Sequence, residues 1–227
     1  MSPMYSFFMR ENIFKLYEDG KTISDTPSKI LFCTFELYGE SSLSNITVQD
    51  IASAAKCNIA AISYYFKGKE CLYEEIINQI IEYFYLKEEP FIERINGLRK
   101  NPDSETAKQI LFDWFSQRLT PSNRIMKLCS GVLNILSKEI IYKGKYAKTI
   151  SDKILKKHND NFAYALKIAT RNRLDMEESK LGVIALDGVI LKMSTKNTIT
   201  YDIGITKIDR DKIKKTYIDF LNRIIGA

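Results

Sequence analysis

Histidine and tryptophan are the scarcest residues of this 227-residue chain, with one copy of each, His158 and Trp114. A single histidine, with no set of Cys, Asp or Glu at metal-ligand spacing around it, predicts that the chain holds no metal. The G-x-S-x-G, G-x-G-x-x-G and P-loop motifs are absent, and neighbouring carboxylates such as Glu74 and Glu75 point apart on a helix. The sequence therefore favours a protein that is not an enzyme and needs no cofactor, with an all-helical enzyme as an alternative.

Long apolar runs and paired cysteines are also missing. No segment approaches the ~18 to 20 consecutive apolar residues of a membrane span, and the first residues lack a basic stretch ahead of an apolar one. The four cysteines, at positions 33, 57, 71 and 129, have no C-x-x-C spacing. These features predict a cytoplasmic protein with free thiols and no membrane partner. Cys57 could sense redox state, but no other feature of the sequence supports that role.

Residues 47–69 show the pattern of two short helices joined by a tight turn. Thr47 is placed to cap the first helix, with Asp50 three residues later, as in a capping box. Apolar residues at 48, 51, 52 and 55 then form one stripe on that helix. Lys56 and Cys57 interrupt the stripe where a turn is expected.

The second helix of this pair begins after Asn58, a favourable capping residue. Ala61, Ile62 and Tyr65 are predicted to face inward. The residues left closer to solvent are Ile59, Ala60, Ser63 and Tyr64. A helix, a short turn and a second helix is the geometry that places the second helix in the major groove of DNA.

The most specific signal is the aromatic run YYFKGKE at 64–70, followed by Leu72 and Tyr73. It resembles the end of the recognition helix in TetR-family transcriptional regulators, which reads Y-Y/H-F-x-x-K-E/D-x-L. The form N-x-A-x-I-x-Y-Y-F at 58–66 is most similar to the subgroup related to the bacterial efflux regulator CecR. The resemblance covers residues 30–73, and beyond them it extends only to the general plan of an all-helical regulatory domain.

The resemblance implies DNA-contacting roles for individual residues. Candidates to face base edges are Asn58, Ile59, Ala60, Ala61 and Ser63. Candidates to contact phosphate are Thr47, Tyr64, Tyr65 and Lys69. Tyr65 could equally belong to the core and Thr47 could act only as a cap, whereas Phe66 and Leu72 are assigned to the core.

Positive charge is not concentrated in this segment, although the whole chain carries +6. Residues 28–73 contain four lysines and four acidic residues, and no arginine, which is the commonest reader of guanine. The net charge therefore gives no support to DNA binding. Recognition of the DNA sequence is expected to depend on apolar contacts, on contacts with the backbone and on DNA shape.

The remaining periodicity predicts an all-α chain with an N-terminal extension at 1–27 that forms a short helix, a helix-turn-helix domain at 28–73, and a helical ligand-binding and dimerisation domain at 74–227. The first helix is predicted over 28–38, ending at Gly39. A long helix is predicted from 69 to about 86, ending at Glu88-Glu89-Pro90. Further helices are predicted at about 91–100, 104–119, 122–142, 147–171, 177–195 and 209–225, with a loop or extended segment at 194–207.

Large residues on the predicted helices beyond 74 are candidates to bind a small-molecule effector, although such residues more often form plain core. They are Tyr83, Phe84, Phe91, Trp114, Arg118, Met126 and Phe162. Trp114 and Arg118, four residues apart, could offer an apolar and a cationic group to an anionic aromatic ligand. They could also be a surface arginine stacked on a half-buried ring.

One predicted helix, 177–195, has small and apolar residues along one side and is the candidate dimer interface. These residues are Leu181, Ile184, Ala185, Gly188 and Leu191. The family resemblance implies a homodimeric repressor that binds a palindromic operator in double-stranded DNA and is released by an effector of unknown identity. A helical adaptor that binds another protein remains an alternative.

Overall fold

The structure, a computed structural model, describes residues 11–40, 46–119, 123–194 and 210–226. These residues form helices and contain no β-strand, so the predicted all-α class is confirmed. No helix among them is long and apolar enough to cross a membrane. The helices are α1 (Ile13–Glu18), α2 (Thr26–Glu40), α3 (Val48–Ala55), α4 (Ile59–Phe66), α5 (Lys69–Lys100), α6 (Ser104–Leu119), α7 (Asn123–Ile141), α8 (Ala147–Ile150), α9 (Lys156–Ala169), α10 (Met176–Ser194) and α11 (Arg210–Gly226).

The chain divides into two compact units. The first comprises Met1–Leu86 and Ser130–Ile150, and the second comprises Lys87–Cys129 and Ser151–Ala227. Helices α5 and α7 therefore contribute residues to both units. The first unit therefore combines the N-terminal helices with a later segment of the chain, Ser130–Ile150.

The first unit is built around α2, α3 and α4, whose apolar stripes meet in one core. Ile30, Leu31, Ile51 and Ile62 are fully buried there, and Phe66 is nearly so. Burial on this scale stabilises a fold because each large aliphatic side chain removed from water contributes about 1.5 to 3 kcal/mol.

The predicted short helix near the N-terminus is present as α1 and packs into this unit. Its cap, Asn12, accepts hydrogen bonds from the N–H groups of Phe14 and Lys15 and donates one through Nδ2 to the Gln79 carbonyl, at 2.8 Å. The Phe14 ring is fully buried and meets Phe35 edge-on, with ring centroids 4.8 Å apart. Residues 1–10, the first part of the expected extension, lie outside the described residues.

Gly39 was expected to end α2, and the last described residue of the helix is Glu40, one position later. A Cβ on Gly39 would lie 3.0 Å from the Cα of Gly131, so its small size permits close approach of α7. Two side chains of α7 bind the carbonyls at this end of α2. Asn134 Nδ2 donates to Gly39 at 2.9 Å, and Lys138 Nζ donates to Tyr38 at 3.1 Å. Side chains of another helix thus satisfy two carbonyls in the last turn of α2.

The predicted break at Pro90 is wrong, because α5 runs unbroken from Lys69 to Lys100. Proline removes one backbone donor and disfavours helix at the preceding residue. Phe91, Ile95 and Leu98, just beyond it, are 6%, 0% and 2% exposed. Burial of that face in the second unit outweighs the local cost of the proline.

The second unit surrounds a core of side chains from α5, α6, α9, α10 and α11. Its largest fully buried members are Trp114, Phe115 and Phe162. The single helix expected over 147–171 is instead interrupted by a π-helical turn at Ser151–Leu155 and ends at Ala169. Residues 195–209, which contain most of the expected loop, lie outside the described residues.

The sequence at 209–225 predicts an apolar face made of Ile213, Tyr217, Phe220, Leu221 and Ile224, and this prediction is partly wrong. The residues of α11 that pack on the core are Tyr217, Ile218, Leu221 and Ile225. Phe220 and Ile224, expected on that face, are 50% and 36% exposed. The side chain of Ile213, the remaining member of the prediction, lies outside what the structure describes.

Candidate functional site

The start of α3 is fixed by the capping box that the sequence predicted. Thr47 Oγ1 accepts a hydrogen bond from the Asp50 N–H at 3.1 Å, and the Thr47 N–H donates to Asp50 Oδ2 at 2.8 Å. These hydrogen bonds lower the pKa of the Asp50 carboxyl from its ordinary value. Each of these two exposed residues thus provides a side-chain acceptor for the backbone N–H of the other at the helix N-terminus.

The turn between α3 and α4 adopts a tight geometry even though it contains no glycine. Lys56 has φ 51° and ψ 47°, in the left-handed region that glycine usually occupies. Its N–H donates to the Ser53 carbonyl at 3.2 Å, and the Cys57 N–H donates to Ala52 at 3.0 Å, as in a Schellman motif. Burial raises the pKa of the Cys57 thiol, which favours its protonated, less reactive form.

Asn58 then caps α4, as predicted, by accepting a hydrogen bond from the Ala60 N–H at 2.9 Å. Ile62 and Phe66 turn into the core, at 0% and 2% exposed. Ala61 and Tyr65, which were expected to face inward, are only half-buried.

The opposite side of α4 is open to solvent and carries the predicted contact residues. Ile59 is 44% exposed and Tyr64 is 68% exposed, with Ala60 and Ser63 exposed between them. The Tyr64 and Tyr65 rings meet edge-on, with centroids 5.0 Å apart. This helix therefore presents a small apolar and hydroxyl-bearing surface that no described residue covers.

The comparisons with known proteins concern this region of the chain. Residues 30–76 match the family described as Bacterial regulatory proteins, tetR family. They form a TetR-family N-terminal domain. A protein of Bacillus subtilis (strain 168), named Probable HTH-type transcriptional regulator YttP, is 39% identical over 57 residues. That match covers 25% of this chain and 28% of the relative, so the chain matches less than a third of the relative's length.

Lys69 begins α5 just after the exposed helix of the TetR-family domain. Its Nζ donates to the Ile46 carbonyl at 2.7 Å. The preceding turn uses two left-handed residues, Lys67 at φ 59° and Gly68 at φ 127°. This contact joins the start of α5 to the residue that precedes the cap of α3.

The second unit carries a separate cluster of charged side chains, in which Glu88 and His158 are buried and Arg118 and Asp187 are partly exposed. Glu88 of α5 is 5% exposed, and its Oε1 lies 2.6 Å from His158 Nδ1 and 3.5 Å from an Arg118 guanidinium nitrogen. On the other side of the imidazole ring, His158 Nε2 lies 3.0 Å from Asp187 Oδ2. Each nitrogen of the imidazole therefore faces a carboxylate. Four helices are tied together by these contacts.

The charge of the imidazole follows from these neighbours. Burial lowers the pKa of His158, but hydrogen bonding and charge from Asp187 and Glu88 outweigh it and raise the value to about 9. His158 is therefore a cation at neutral pH, and Arg118 is a second one.

Four of the predicted effector-binding residues meet in this unit. Trp114 stacks on Phe162 with ring centroids 4.5 Å apart, and Phe91 lies 6.2 Å from Phe162. The Arg118 guanidinium lies over the Trp114 ring, 5.4 Å from its centroid. Met126 is buried in the same unit, at 9% exposed.

The other two candidates belong to the first unit. Tyr83 donates through its hydroxyl to Glu18 Oε2 at 3.3 Å and meets the Phe14 ring edge-on, so it holds α1 in place. Phe84 is half-buried.

Glu88, His158 and Asp187 were missed as members of this site. Glu88 lay in the stretch expected to end a helix, and His158 is separated from it by 70 residues. A contact between residues so far apart cannot be predicted from the spacing of neighbouring residues in the sequence. Among the described residues no group of His, Cys, Asp or Glu is arranged to hold a metal.

The predicted dimer residues lie on α10. Leu181 and Ile184 are 62% and 52% exposed, and Ala185 and Gly188 are exposed beside them. A Cβ on Gly188 would meet nothing within 4 Å. The side chain of Leu191 lies outside what the structure describes.

Proposed function

We propose that this protein is a DNA-binding transcriptional regulator, acting in the cytoplasm as a homodimeric repressor that a small-molecule effector releases from a palindromic operator. The observation that carries the proposal is the TetR-family domain at 30–76, with one face of α4 packed in its core and the other open. The pattern N-x-A-x-I-x-Y-Y-F supports placing it in the CecR-related subgroup.

In this proposal α4 enters the major groove and divides its residues between bases and backbone. Ile59, Ala60, Ala61 and Ser63 face base edges, where methyl groups contact thymine and the hydroxyl forms hydrogen bonds. Asn58 contributes its amide Nδ2, because its Oδ1 is used by the cap. The phosphate contacts come from Thr47, Tyr64, Tyr65 and Lys69.

The exposed apolar side chains of the second unit support the homodimer. Leu181 and Ile184 on α10 are more than half exposed, and Phe220 and Ile224 on α11 add to the apolar surface of the same unit. Large exposed apolar patches are uncommon on monomeric proteins and mark interaction sites. We propose that α10 and α11 of two copies pack as a four-helix bundle. Its twofold symmetry then matches the palindrome.

The effector acts on the second unit. A ligand that releases DNA must bind the free protein more tightly than the DNA-bound protein by the same factor as it weakens DNA binding. The contacts among the predicted effector residues Phe91, Trp114, Arg118 and Phe162 support placing the ligand in this unit.

The test is a selection of bound sequences from random duplex DNA, followed by fluorescence-anisotropy titration of the selected site. We expect a palindrome whose half-sites lie about one helical turn apart, ~34 Å on B-DNA. The matched control is the same duplex with one half-site scrambled. If no sequence is enriched and the protein binds no duplex at moderate salt, the regulator proposal is wrong and the adaptor alternative is favoured.

A further inference from the structure

Three exposed lysines lie close together in the chain just after α7. Lys143, Lys145 and Lys148 belong to the basic turn, residues 142–148, which contains no acidic side chain. Tyr142 at its start is 79% exposed. Residues 28–73, by contrast, hold equal numbers of lysines and acidic residues and no arginine. The basic turn therefore adds to the first unit a positive charge that the helix-turn-helix segment lacks.

A buried carboxylate fixes the path of the basic turn. Glu139 of α7 is 3% exposed, and it accepts hydrogen bonds from the Tyr73 hydroxyl at 3.0 Å and from the Tyr146 N–H at 2.8 Å. The Gly144 N–H donates to the Glu139 carbonyl at 2.8 Å. A Cβ on Gly144 would overlap the Glu139 carboxylate, so the absence of a side chain there lets the turn close over it. The lysines are therefore carried on a backbone that is held in place.

Two side-chain contacts place the basic turn beside the first turns of α5. The Tyr146 hydroxyl donates to Glu74 Oε2 at 3.3 Å, and Lys145 Nζ lies 4.0 Å from the same oxygen. Glu74 follows Lys69 by five residues, which is about 7.5 Å along a helix. Lys69, the proposed phosphate contact next to α4, is therefore close to the basic turn. The flexible four-carbon stem of a lysine can extend the same surface.

Two carboxylates of α5 lie near the basic turn and do not cancel its charge. Glu70 and Glu74 are exposed, and the charges of both act on Lys145. The side chains of Lys145 and Glu74 are 70% and 52% exposed, and an ion pair this open to water contributes little. A phosphate can therefore replace Glu74 as the partner of Lys145. The three lysines of the turn also outnumber these two carboxylates.

We propose that the basic turn binds the phosphate backbone of double-stranded DNA beside the segment that α4 contacts. Lys143 and Lys145 each meet a phosphate through their ammonium groups, and the Tyr142 hydroxyl donates to the same backbone. Contacts of this kind fix the position of a protein on the duplex without reading its sequence. The inference rests on the proposed function and adds to it a contribution from outside residues 30–76, the part of the chain that matches the TetR family.

The experiment measures the affinity of the full chain for the selected operator and for random duplex DNA, between about 50 and 200 mM salt. The test variant combines Lys143→Gln with Lys145→Gln, which removes two charges from exposed side chains. We expect the slope of log affinity against log salt to fall by about two units per subunit, because each phosphate contact releases about one counterion. Both DNAs should be weakened by the same factor, since no base contact is lost.

A matched control removes the same charge from another part of the first unit. Lys15 and Lys21 are exposed at α1, and the cap of α1 bonds to the Gln79 carbonyl, farther along α5 than the contacts of the basic turn. The combination of Lys15→Gln with Lys21→Gln should keep the slope of the parent protein. A reduced slope in the test variant alone would place the lost contacts at the basic turn.

Several outcomes would overturn the inference. An unchanged slope in the test variant, while the parent protein binds DNA, would remove the basic turn from the DNA surface and leave the regulator proposal standing. An equal reduction in the control would mean that net charge alone is responsible. A parent protein that binds no duplex would overturn both proposals together.

The exposed Ile141 and Tyr142 beside these lysines also suit an anionic membrane surface. Co-sedimentation of the same proteins with phosphatidylglycerol vesicles is therefore measured in parallel. Loss of vesicle binding in the test variant, with its DNA binding unchanged, would overturn the inference and make a membrane the partner of the basic turn.

Discussion

The candidate sites of the two units hold their polar groups in opposite surroundings. In the first unit, Thr47, Asp50 and Asn58 are exposed and bond to groups two or three residues away. In the second, Glu88 and His158 are buried and meet across 70 residues. The first arrangement shapes two short helices and leaves a surface open. The second joins four helices through ion pairs, and breaking such a pair costs several kcal/mol when one charge stays buried.

The two candidate sites should respond differently to amino-acid substitutions. Exposed caps contribute about 1 kcal/mol each and leave the rest of the fold in place when they are lost. A buried ion pair that loses one partner leaves an uncompensated charge, which costs several kcal/mol. Changes in the TetR-family domain should therefore alter DNA binding with little loss of stability, whereas changes in the second unit should alter stability and assembly together.

The largest effect is expected from Gly188→Glu. A Cβ at this position has open space, so the change does not disturb the protomer, but it places a charge in the proposed dimer surface. We expect monomers in light scattering and an operator affinity reduced ~1,000-fold toward non-specific binding. Gly97→Glu is the matched control, because Gly97 is also an exposed helical glycine with nothing within 4 Å. Equal behaviour of the two variants would contradict the interface on α10.

The next effect concerns stability of the second unit. Glu88→Ala removes the carboxylate shared by His158 and Arg118 and leaves a buried cation without its closest partner. Urea denaturation should show a loss of about 3 to 5 kcal/mol. Glu89→Ala, at the exposed neighbouring position, should change stability by less than about 0.5 kcal/mol. A small loss of unfolding free energy in Glu88→Ala would show that His158 and Arg118 do not depend on this carboxylate.

The same cluster predicts a specific pH dependence. The pKa of His158 is raised to about 9 in the folded protein, so its contribution is complete below the unfolded value of about 6.5. It declines as pH rises between these two values and is lost above the folded one, a change on the order of 3 kcal/mol. His158→Gln should remove this decline, measured as the difference between the urea stabilities of the two proteins from pH 6 to 10. Parallel curves would mean that the imidazole is not charged by its neighbours.

A smaller effect is expected on the exposed face of α4. Ser63→Leu places a bulky side chain where we propose a base contact, and should cost about 1 to 3 kcal/mol on operator DNA with much less change on random DNA. Ser53→Leu is the control, because Ser53 is exposed on α3 of the same domain. It should affect both DNAs alike or not at all. Retained discrimination in Ser63→Leu would exclude this face from the groove.

The contrast between the units also explains how much of the molecule could be predicted. Thr47 and Asn58 were identified as caps because their partners lie within three residues, and the outward face of α4 followed from periodicity. The continuation of α5 through Pro90 could not be foreseen, because it depends on the burial of Phe91 among residues that are distant in the sequence. Glu88, His158 and Asp187 come from three helices, and no local pattern joins them. Tertiary contacts override local signals most where side chains are buried.

The smallest predicted effect tests whether Lys69 belongs to the DNA surface as well as to the fold. Its Nζ donates to the Ile46 carbonyl, which places the ammonium group beside the start of α3. If the remaining donors meet a phosphate, Lys69→Ala should weaken specific and random DNA alike and reduce the slope of log affinity against log salt by about one unit per subunit. Lys69→Gln is the informative comparison, because its amide can still donate to Ile46 but carries no charge. The two variants should then show the same reduced slope, while Lys69→Ala alone loses the hydrogen bond to Ile46 and with it about 1 kcal/mol of stability. An unchanged slope in both variants, with stability lost only in Lys69→Ala, would assign Lys69 to the fold and leave the phosphate contacts to Thr47 and the tyrosines of α4.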